Sequence, residues 1–472
     1  MNKTKSNGLA LTVLTALFFM WGFITCLNDI LVPYLKKIFD LSYTEATLVQ
    51  FSFFGAYFVG SLAYLILSFW RDPISIIGYK KGIIIGLIVS AIACMMFYPA
   101  AANHQFSLFL LALFVLGIGF TLLQIAANPY VAIIGPERTA SSRLNLSQGF
   151  NSLGTTIAPI IGGYLIFHYF NKFGAPILNN SGIPILTDTG LPLTANSVQI
   201  PYFIFAAIFV LLAFVVYFTP LPDVSNQSEP TTGFGALRHR NLVLGFIAIF
   251  MYVGAEVAIG SMMISYLKES MSLPEMSAKS YLAFYWGGLM IGRFAGSIAL
   301  SDKFSTSKKT VLMVVIAFAA FGFIYFASGL SINEVWPFLL IVILNLLAFY
   351  FSKSSPNKTL LIFASIAMTL IGLAMLTTGA ISMWLIIGVG LFNSIMWSNI
   401  FTLAIAGLGK FAGQASSILI MAIVGGALIP PLQGFFADSF SVHFSFIIPL
   451  VCYIYLIFYG LSGFKTSNDL KK

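Results

Sequence analysis

Residues 106–130 read FSLFLLALFVLGIGFTLLQIAANPY, a stretch of the chain without a single charged side chain. A helix needs about 20 predominantly apolar residues to cross a bilayer, so this stretch predicts a transmembrane helix. The sequence holds thirteen more segments of this kind, and lipid leaves the backbone to satisfy its own hydrogen bonds, so all are expected to be helical. The fourteen predicted segments are 8–34, 46–69, 81–99, 106–130, 145–168, 201–219, 242–267, 280–300, 310–329, 335–352, 358–378, 381–406, 414–436 and 444–463.

The composition of the 472-residue chain agrees with this pattern. Hydrophobic residues make up 59% of it and charged residues only 8%, whereas soluble proteins average about 25% charged residues. So few charges cannot cover a soluble protein of this length, which excludes a soluble enzyme. The loops are too short for a membrane glycosyltransferase, and no metal-ligand spacing or phosphate-binding loop is present. We therefore expect a polytopic membrane protein that is not an enzyme, needs no cofactor or metal, and binds no nucleic acid.

The basic residues orient the predicted helices. With the N-terminus in the cytoplasm, eighteen of the 24 Lys and Arg residues fall in cytoplasmic segments and five in outer loops, while Arg293 lies within a helix. Because cytoplasmic loops carry an excess of Lys and Arg, this split predicts an even number of spans with both termini in the cytoplasm.

An internal repeat divides the chain into two parts. An offset of 232 residues matches Gly55 to Gly287 and Gly60 to Gly292. A later offset of 271 residues, 39 larger, matches Gly117 to Gly388, Gly119 to Gly390, Asn128 to Asn399, Gly154 to Gly425, Pro159 to Pro430 and Gly163 to Gly434. The difference is a plausible length for two short helices and a turn.

Two parallel halves related by an axis along the membrane normal are the architecture of major facilitator transporters, whose substrate site lies near the midplane between the halves. We expect this all-α fold with about 14 transmembrane helices. The predicted organisation is an N-terminal six-helix half at 1–219, a cytoplasmic linker at 220–241, and a C-terminal half at 242–472 with an extra helix pair within about 301–357.

Two acidic residues lie inside predicted spans. Asp29 falls in the first segment and Glu256 in the seventh, while the other acids fall in loops or at helix ends. A charged residue at mid-helix costs on the order of 2.5–3.5 kcal/mol on insertion scales, so such residues usually mark a substrate or ion pathway. The alternative is that either acid is protonated or paired and only holds helices together.

Amide side chains cluster in the fourth and fifth segments. Gln124 and Asn128 are four residues apart, and Gln148 and Asn151 are three apart, so each pair shares a helix face. Amides offer donors and acceptors together, which suits the hydroxyl groups of a sugar. Interhelical hydrogen bonding accounts for the same pattern equally well.

Two further sets of residues are candidates. Asn393 and Trp397 are four residues apart in a later span, where an aromatic face beside amides can stack on a pyranose or simply fill the core. Arg71, Asp72 and Arg293 lie at predicted cytoplasmic helix ends and are expected to latch one conformation or to anchor the inner interface.

Several short runs together resemble the fucose–galactose–glucose:cation symporters, a branch of the major facilitator superfamily that holds the fucose permease and glucose/galactose transporters. The resemblance covers nearly the whole chain apart from the inserted pair. The runs that carry it are Phe19-Met20-Trp21-Gly22, Leu27-Asn28-Asp29, Ala126-Ala127-Asn128-Pro129-Tyr130, Arg143-Leu144-Asn145-Leu146-Ser147-Gln148 and Phe150-Asn151-Ser152.

The resemblance implies sugar uptake by alternating access. It implies a proton-carrying acid at Asp29, sugar contacts at Gln148 and Asn151, and an aromatic residue at Trp397. The fucose permease has a second acid where this chain has Gln124, and an amide where this chain has Glu256. A relay of two carboxylates at the permease's positions therefore does not carry over. Two alternatives remain for the coupling ion: Asp29 alone carries protons, or Asp29, Asn28 and Gln124 together hold a sodium ion. Proton coupling is the more frequent in the family, which slightly favours protons.

From these residues we expect a hexose:cation symporter that imports glucose or galactose, and L-fucose as a further candidate, across the cytoplasmic (inner) membrane of a bacterium. It is expected to function as a monomer in the lipid bilayer. The coupling ion, H⁺ or Na⁺, is assigned to Asp29, Asn28 and Glu256. The substrate is assigned to the residues that would line the cavity, namely Gln124, Asn128, Gln148, Asn151, Glu256, Asn393 and Trp397. The alternatives are a proton-coupled exporter of amphipathic molecules and a transporter-like sugar sensor.

Overall fold

The structure, a computed structural model, describes residues 3–41, 43–165, 169–179, 182–186, 190–222, 233, 235–273 and 275–466. Within these ranges the chain is nearly all helical. The α-helices are α1 (Lys3–Phe39), α2 (Tyr43–Trp70), α3 (Pro73–Ile77), α4 (Tyr79–Ala102), α5 (Phe106–Ile133), α6 (Ala140–Tyr164), α7 (Asn196–Phe218), α8 (Arg240–Met271), α9 (Glu275–Ala299), α10 (Thr306–Ser328), α11 (Ile332–Phe351), α12 (Pro356–Leu376), α13 (Gly379–Asn393), α14 (Met396–Ile405), α15 (Ala412–Met421), α16 (Gly425–Ser439), α17 (Val442–Ser445) and α18 (Ile447–Phe458).

Twelve helical segments among the described residues are long and apolar enough to cross a membrane. Two more helices of 25 residues, α6 and α9, carry a larger share of polar side chains. Together these helices correspond one by one to the fourteen segments predicted from the sequence, which confirms the expected polytopic all-α class.

The last three predicted segments differ from the expectation of single continuous helices. The segment at 381–406 is broken between Asn393 and Met396. The segment at 414–436 is interrupted by a 3₁₀ turn at Ala422–Val424, and the final one is divided into α17, α18 and a π-helical turn. At the first of these breaks, the Arg293 side chain of a neighbouring helix donates a hydrogen bond to the Ser394 carbonyl, a contribution that the apolar pattern does not reveal.

Helices α1–α7 pack mainly on one another, and helices α8–α18 do likewise. We call these the N-terminal and C-terminal helix groups. The groups meet where α6 packs on α9 and α14, and where α15 packs on α2 and α5. The predicted division at 220–241 stays a prediction, and residues 223–232 and 234 of it lie outside the described part.

Most of the contacts between the groups lie at one end of the bundle. This end carries the loops 71–78, 134–139, 300–305 and 406–411, and we call it the basic face because Arg71, Arg138, Lys303 and Lys410 lie there. Towards this end, Ser417 of α15 donates a 2.7 Å hydrogen bond to the carbonyl of Ser61 in α2. The two groups therefore close against each other at the basic face.

The opposite end carries the longest loop. Its described parts contain three isolated antiparallel bridges, Pro176 with Thr194, Leu178 with Pro184, and Leu186 with Pro192. Runs this short, rich in Gly and Pro, give no strand pattern in the sequence.

Helices α1 and α6 approach each other closely beside the centre of the bundle. A Cβ atom on Gly22 would lie 2.2 Å from the backbone oxygen of Asn151, and one on Gly154 would lie 2.3 Å from the oxygen of Phe19. Only glycine permits this separation, and the approach brings the polar face of α6 next to the middle of α1.

Candidate functional site

A cavity of about 170 Å³ lies between the two helix groups. Its lining residues come from both groups and are Trp21, Gly22, Thr25, Phe54, Tyr57, Gln124, Gln148, Asn151, Thr155, Tyr252, Val253, Glu256, Arg293, Trp397 and Ile423. The cavity therefore combines amides, hydroxyl groups, aromatic rings and one carboxylate.

Three of the predicted amides lie on its N-terminal wall. Gln124 on α5 and Gln148 on α6 are nearly fully buried, and Asn151 is partly exposed. The side chain of Asn151 donates a 3.0 Å hydrogen bond to the carbonyl of Phe18, so its amide also ties α6 to α1. The wall offers polar groups without a charge, a suitable surface for hydroxyl groups.

The indole of Trp397 forms part of the facing wall. It is 7% exposed and stacks on Phe401, with ring centroids 6.2 Å apart and planes 25° apart. Its Nε1–H is buried and has no hydrogen-bond partner among the described residues. An unpaired donor at a cavity wall is a group that a ligand oxygen can satisfy.

The carboxylate in the cavity wall is Glu256 on α8. Tyr252, one turn earlier, donates a hydrogen bond to it, and the Tyr285 hydroxyl donates a 2.8 Å hydrogen bond to the Glu256 backbone carbonyl. The guanidinium of Arg293 lies close enough to act electrostatically on Glu256. This wall therefore holds an acid, a hydroxyl group and a cation side by side.

Arg293 lies at the cavity and not, as the sequence indicated, at the end of its helix. Its guanidinium is 8% exposed, donates to the Ser152 hydroxyl on α6 and, through Nε, donates a 3.2 Å hydrogen bond to the Ser394 carbonyl. One side chain thus connects the two helix groups and the break between α13 and α14.

Asn393, at that break, is buried and takes part in a tyrosine network rather than lining the cavity. Its amide nitrogen donates to the Tyr285 hydroxyl at 3.1 Å, and its oxygen accepts from the Tyr453 hydroxyl at 2.8 Å. Since Tyr285 in turn binds the backbone of Glu256, the structure links the helix break to the acidic wall.

Asn128 does not reach the cavity wall either. It lies one helical turn from Gln124, is fully buried, and neither polar atom of its amide has a hydrogen-bond partner among the described residues.

The predicted ion site of the first helix is not described. Asn28 and Asp29 belong to α1, but their side chains lie outside the described residues. Their neighbours Trp21, Gly22 and Thr25 line the cavity.

The other predicted latch residues lie at the basic face. Arg71 is exposed, whereas Asp72 is 1% exposed and caps α3 by accepting a 3.1 Å hydrogen bond from the Ile74 backbone. The Tyr64 hydroxyl also donates to Asp72, and burial raises the pKa of the Asp72 carboxyl above its ordinary value of 3.8. The structure therefore separates Asp72, at the basic face, from Arg293, at the cavity.

Sequence reasoning missed several lining residues. Trp21 lies in one of the quoted runs, and Tyr252 precedes Glu256 by four residues, a spacing that places both on one helix face. The sequence therefore contained an indication that these two residues belong to the site. It contained no comparable indication for Phe54, Tyr57 and Thr155, because aromatic and hydroxyl residues are frequent throughout the membrane helices.

Comparison with known families identifies a relationship over most of the chain. A family model described as Major Facilitator Superfamily matches residues 12–357. Helices α10 and α11, which correspond to the predicted extra pair, lie within the matched range.

Curated relatives match nearly the full length. The glucose/galactose transporter of Brucella abortus is 42% identical over 468 residues, covering 98% of this chain and 96% of the relative. The putative glucose/galactose transporter of Helicobacter pylori (strain 26695) is 40% identical, covering 99% and 100%. The L-fucose-proton symporter of Escherichia coli is 29% identical, covering 99% and 96%. These relatives are named as transporters, which confirms that the chain is not an enzyme of a known class.

A solved structure shows the same fold. A crystal structure of FucP, a Major Facilitator Superfamily transporter in the outward conformation, matches with a TM-score of 0.75 and 28% identity, covering 97% of this chain and 99% of that one. The expected major facilitator fold is confirmed.

Proposed function

Because the chain belongs to the Major Facilitator Superfamily, we propose that it is a secondary active symporter that imports a hexose together with a cation. Its full-length similarity to proteins named glucose/galactose transporters supports glucose or galactose as the substrate. The more distant similarity to a protein named L-fucose-proton symporter makes L-fucose a further candidate.

One observation carries the proposal: uncharged amides and an aromatic ring face each other across a single cavity. Gln124, Gln148 and Asn151 offer donors and acceptors from one helix group, and Trp397 offers its ring and an unpaired Nε1–H from the other. A pyranose has hydroxyl groups around its rim and an apolar face, so it fits such a pair of walls.

The coupling cation is assigned to acidic residues at membrane depth. Asp29 belongs to α1, two helical turns beyond Trp21, and Glu256 lies in the cavity wall. The name of the fucose relative favours protons over sodium as the coupling ion. With Gln124 at the cavity in place of an acid, Glu256 is the second titratable residue of the pathway.

Alternating access follows from the arrangement of the two helix groups. We take helices α1–α7 and α8–α18 as the two halves, joined at 220–241, with the basic face in the cytoplasm of a bacterium. The present state, closed at the basic face, is then outward-facing, in agreement with its similarity to the outward conformation of FucP. One monomer contains the whole pathway.

Uptake by the purified protein in proteoliposomes tests the proposal. Labelled glucose, galactose and L-fucose are offered separately under an inward proton gradient and under an inward sodium gradient. We expect accumulation of at least one sugar under one gradient, abolished in Asp29→Asn while sugar exchange persists. Unchanged accumulation in that variant would overturn the assignment of Asp29. Sugar binding without exchange would indicate a sensor, and neither binding nor uptake would favour an exporter.

A further inference from the structure

Arg293 is a buried cation whose hydrogen bonds in the described structure go to neutral groups. It donates to the Ser152 hydroxyl and to the Ser394 carbonyl, and it makes no direct ion pair among the described residues. A buried charge is costly unless it is paired, so an arginine in this position is expected to have a carboxylate partner in another state of the protein.

Glu256 is the carboxylate placed to serve as that partner. The Tyr252 hydroxyl donates to Glu256 and also lies beside the Arg293 guanidinium, so it stands between the two charges. Among the described residues, the other titratable groups that face Glu256 are Tyr285 on α9 and Tyr453 on α18. Both are phenols, and within the described part of the chain Arg293 therefore supplies the positive charge at this wall.

The residues around Arg293 belong to two different helix groups. Glu256, Tyr252 and Ser394 belong to the same helix group as Arg293 and would move with it. Ser152 belongs to α6, in the opposite group. When the groups separate at the basic face, Ser152 is the partner that Arg293 loses.

We propose that Arg293 exchanges partners during transport, from Ser152 in the state described here to the Glu256 carboxylate when the basic face opens. This inference rests on the proposed symport. In the present state, the Arg293 guanidinium is held by Ser152 and forms no ion pair with Glu256. The Glu256 carboxylate can then bind the coupling proton or sodium ion from the outer solution. In the opened state, the guanidinium pairs with the carboxylate and displaces that ion into the solution at the basic face.

The exchange makes Arg293 a positioning residue that converts the separation of the halves into release of the ion. The Ser394 carbonyl, left unpaired by the break between α13 and α14, keeps Nε of Arg293 in place during the exchange. The remaining guanidinium nitrogens are then available first to Ser152 and afterwards to Glu256. If the ion is a proton, the only covalent change is that the Glu256 carboxyl gains the proton from the outer solution and loses it to the solution at the basic face. If the ion is sodium, no covalent bond forms or breaks.

A pair of matched serine variants tests this inference. Ser152→Ala removes the partner of Arg293, while Ser142→Ala removes a 2.6 Å hydrogen bond to the Ser297 carbonyl between the same two helices, without touching Arg293. Each is made in the wild-type background and in Glu256→Gln. The readouts are the cation concentration that gives half-maximal accumulation of the labelled hexose and the rate of sugar exchange.

We expect Ser152→Ala to need roughly tenfold more cation, because a hydrogen bond to a charged group is lost in the cation-binding state. Exchange at saturating cation should persist. Ser142→Ala loses only a bond between neutral groups and should change the cation requirement less, and in Glu256→Gln the effect of Ser152→Ala should fall to that of Ser142→Ala. Equal effects of the two serine variants, or a full effect in Glu256→Gln, would overturn the inference.

A second measurement separates this inference from the proposed function. Spin labels on cysteines at the exposed positions 138 and 302 report the opening of the basic face as a function of pH or sodium, with no sugar present. Ser152→Ala should shift the cation midpoint of opening by roughly tenfold. If the wild-type protein carries no sugar but Ser152→Ala still shifts the cation midpoint of opening, only the proposed substrate is refuted. Sugar transport without the shift refutes the partner exchange alone.

Discussion

The hydroxyl oxygens of Ser141 and Thr402 lie 2.6 Å apart and join α6 to α14 across the basic face. Neighbouring cross-group contacts are also hydrogen bonds between neutral groups, such as that from Ser417 to the Ser61 carbonyl. Each such bond contributes about 0.5–1.5 kcal/mol net, whereas the exposed ion pair between Arg138 and Asp302 at this face contributes about 0–1 kcal/mol. A closure held by several interactions that each contribute little free energy is reversible, as alternating access requires.

Covalent closure of this contact should stop transport. In Ser141→Cys/Thr402→Cys, oxidation or a short bifunctional thiol reagent is expected to abolish sugar uptake, and a reductant to restore it. Sugar binding from the opposite end should persist, because the cavity lining does not include either residue. The measurement is labelled-sugar binding and uptake in the same liposomes.

The two single-cysteine variants control for the native thiols Cys26, Cys94 and Cys452. They should transport normally after oxidation. Full uptake by the cross-linked double variant would show that the basic face does not open during transport.

The fold was largely predictable from sequence, because a bilayer accepts few alternatives to an apolar helix. The amides at 124, 148 and 151 and the acid at 256 were predictable as cavity residues, since polar side chains in apolar spans rarely face lipid. Arg293 and Asn393 were not correctly placed, because their roles depend on the helix break at 394–395. That break contains neither proline nor a charge, and its stability comes from side chains of other helices.

Removal of the Gln148 amide should weaken sugar binding without loss of stability. The Gln148 side chain makes no hydrogen bond to another described residue, so Gln148→Ala removes the proposed ligand contact without breaking a hydrogen bond within the described structure. We expect the affinity for the sugar to fall about threefold to tenfold, the equivalent of one hydrogen bond, and the melting temperature to stay unchanged. Equilibrium binding and thermal unfolding in detergent provide the two measurements.

Asn151→Ala is the informative counterpart. It also removes the hydrogen bond to the Phe18 carbonyl, so it should lower both the affinity and the melting temperature. If both variants kept wild-type affinity, the sugar would not bind at this wall.

Replacement of Trp397 by phenylalanine separates the indole N–H from the aromatic ring. The Nε1–H has no partner in the described part of the chain, so Trp397→Phe removes an unsatisfied buried donor and should not lower the melting temperature. If the donor binds a sugar oxygen, affinity should fall about threefold to tenfold. Unchanged affinity together with lower stability would instead identify Trp397 as a packing residue.

The close approach of α1 and α6 should not tolerate a methyl group at Gly154. A Cβ atom there would meet the Phe19 oxygen at 2.3 Å and the Phe23 nitrogen at 2.8 Å. Overpacking of this kind typically costs about 1–3 kcal/mol, so Gly154→Ala should lower the melting temperature in detergent. Gly8→Ala is the control, since a Cβ atom at Gly8 meets nothing within 4 Å. Equal melting temperatures for the two variants would contradict the described helix separation.

Asp72 should make the stability of the protein depend on pH in an unusual direction. Burial raises the pKa of its carboxyl above 3.8, so the folded state binds this proton more tightly than the unfolded state does. The resulting stabilisation is fully present below pH 3.8 and is lost as the pH rises through the raised pKa. Asp72→Asn keeps an acceptor for the Ile74 N–H but carries no titrating proton. The melting temperature of the wild type, relative to Asp72→Asn, should therefore fall from acidic to neutral pH. Asp302→Asn, which removes a more exposed carboxylate at the same face, controls for the change in surface charge. A wild type that gains stability over Asp72→Asn with rising pH would show that Tyr64 and the Ile74 N–H stabilise the charged carboxylate by more than burial penalises it.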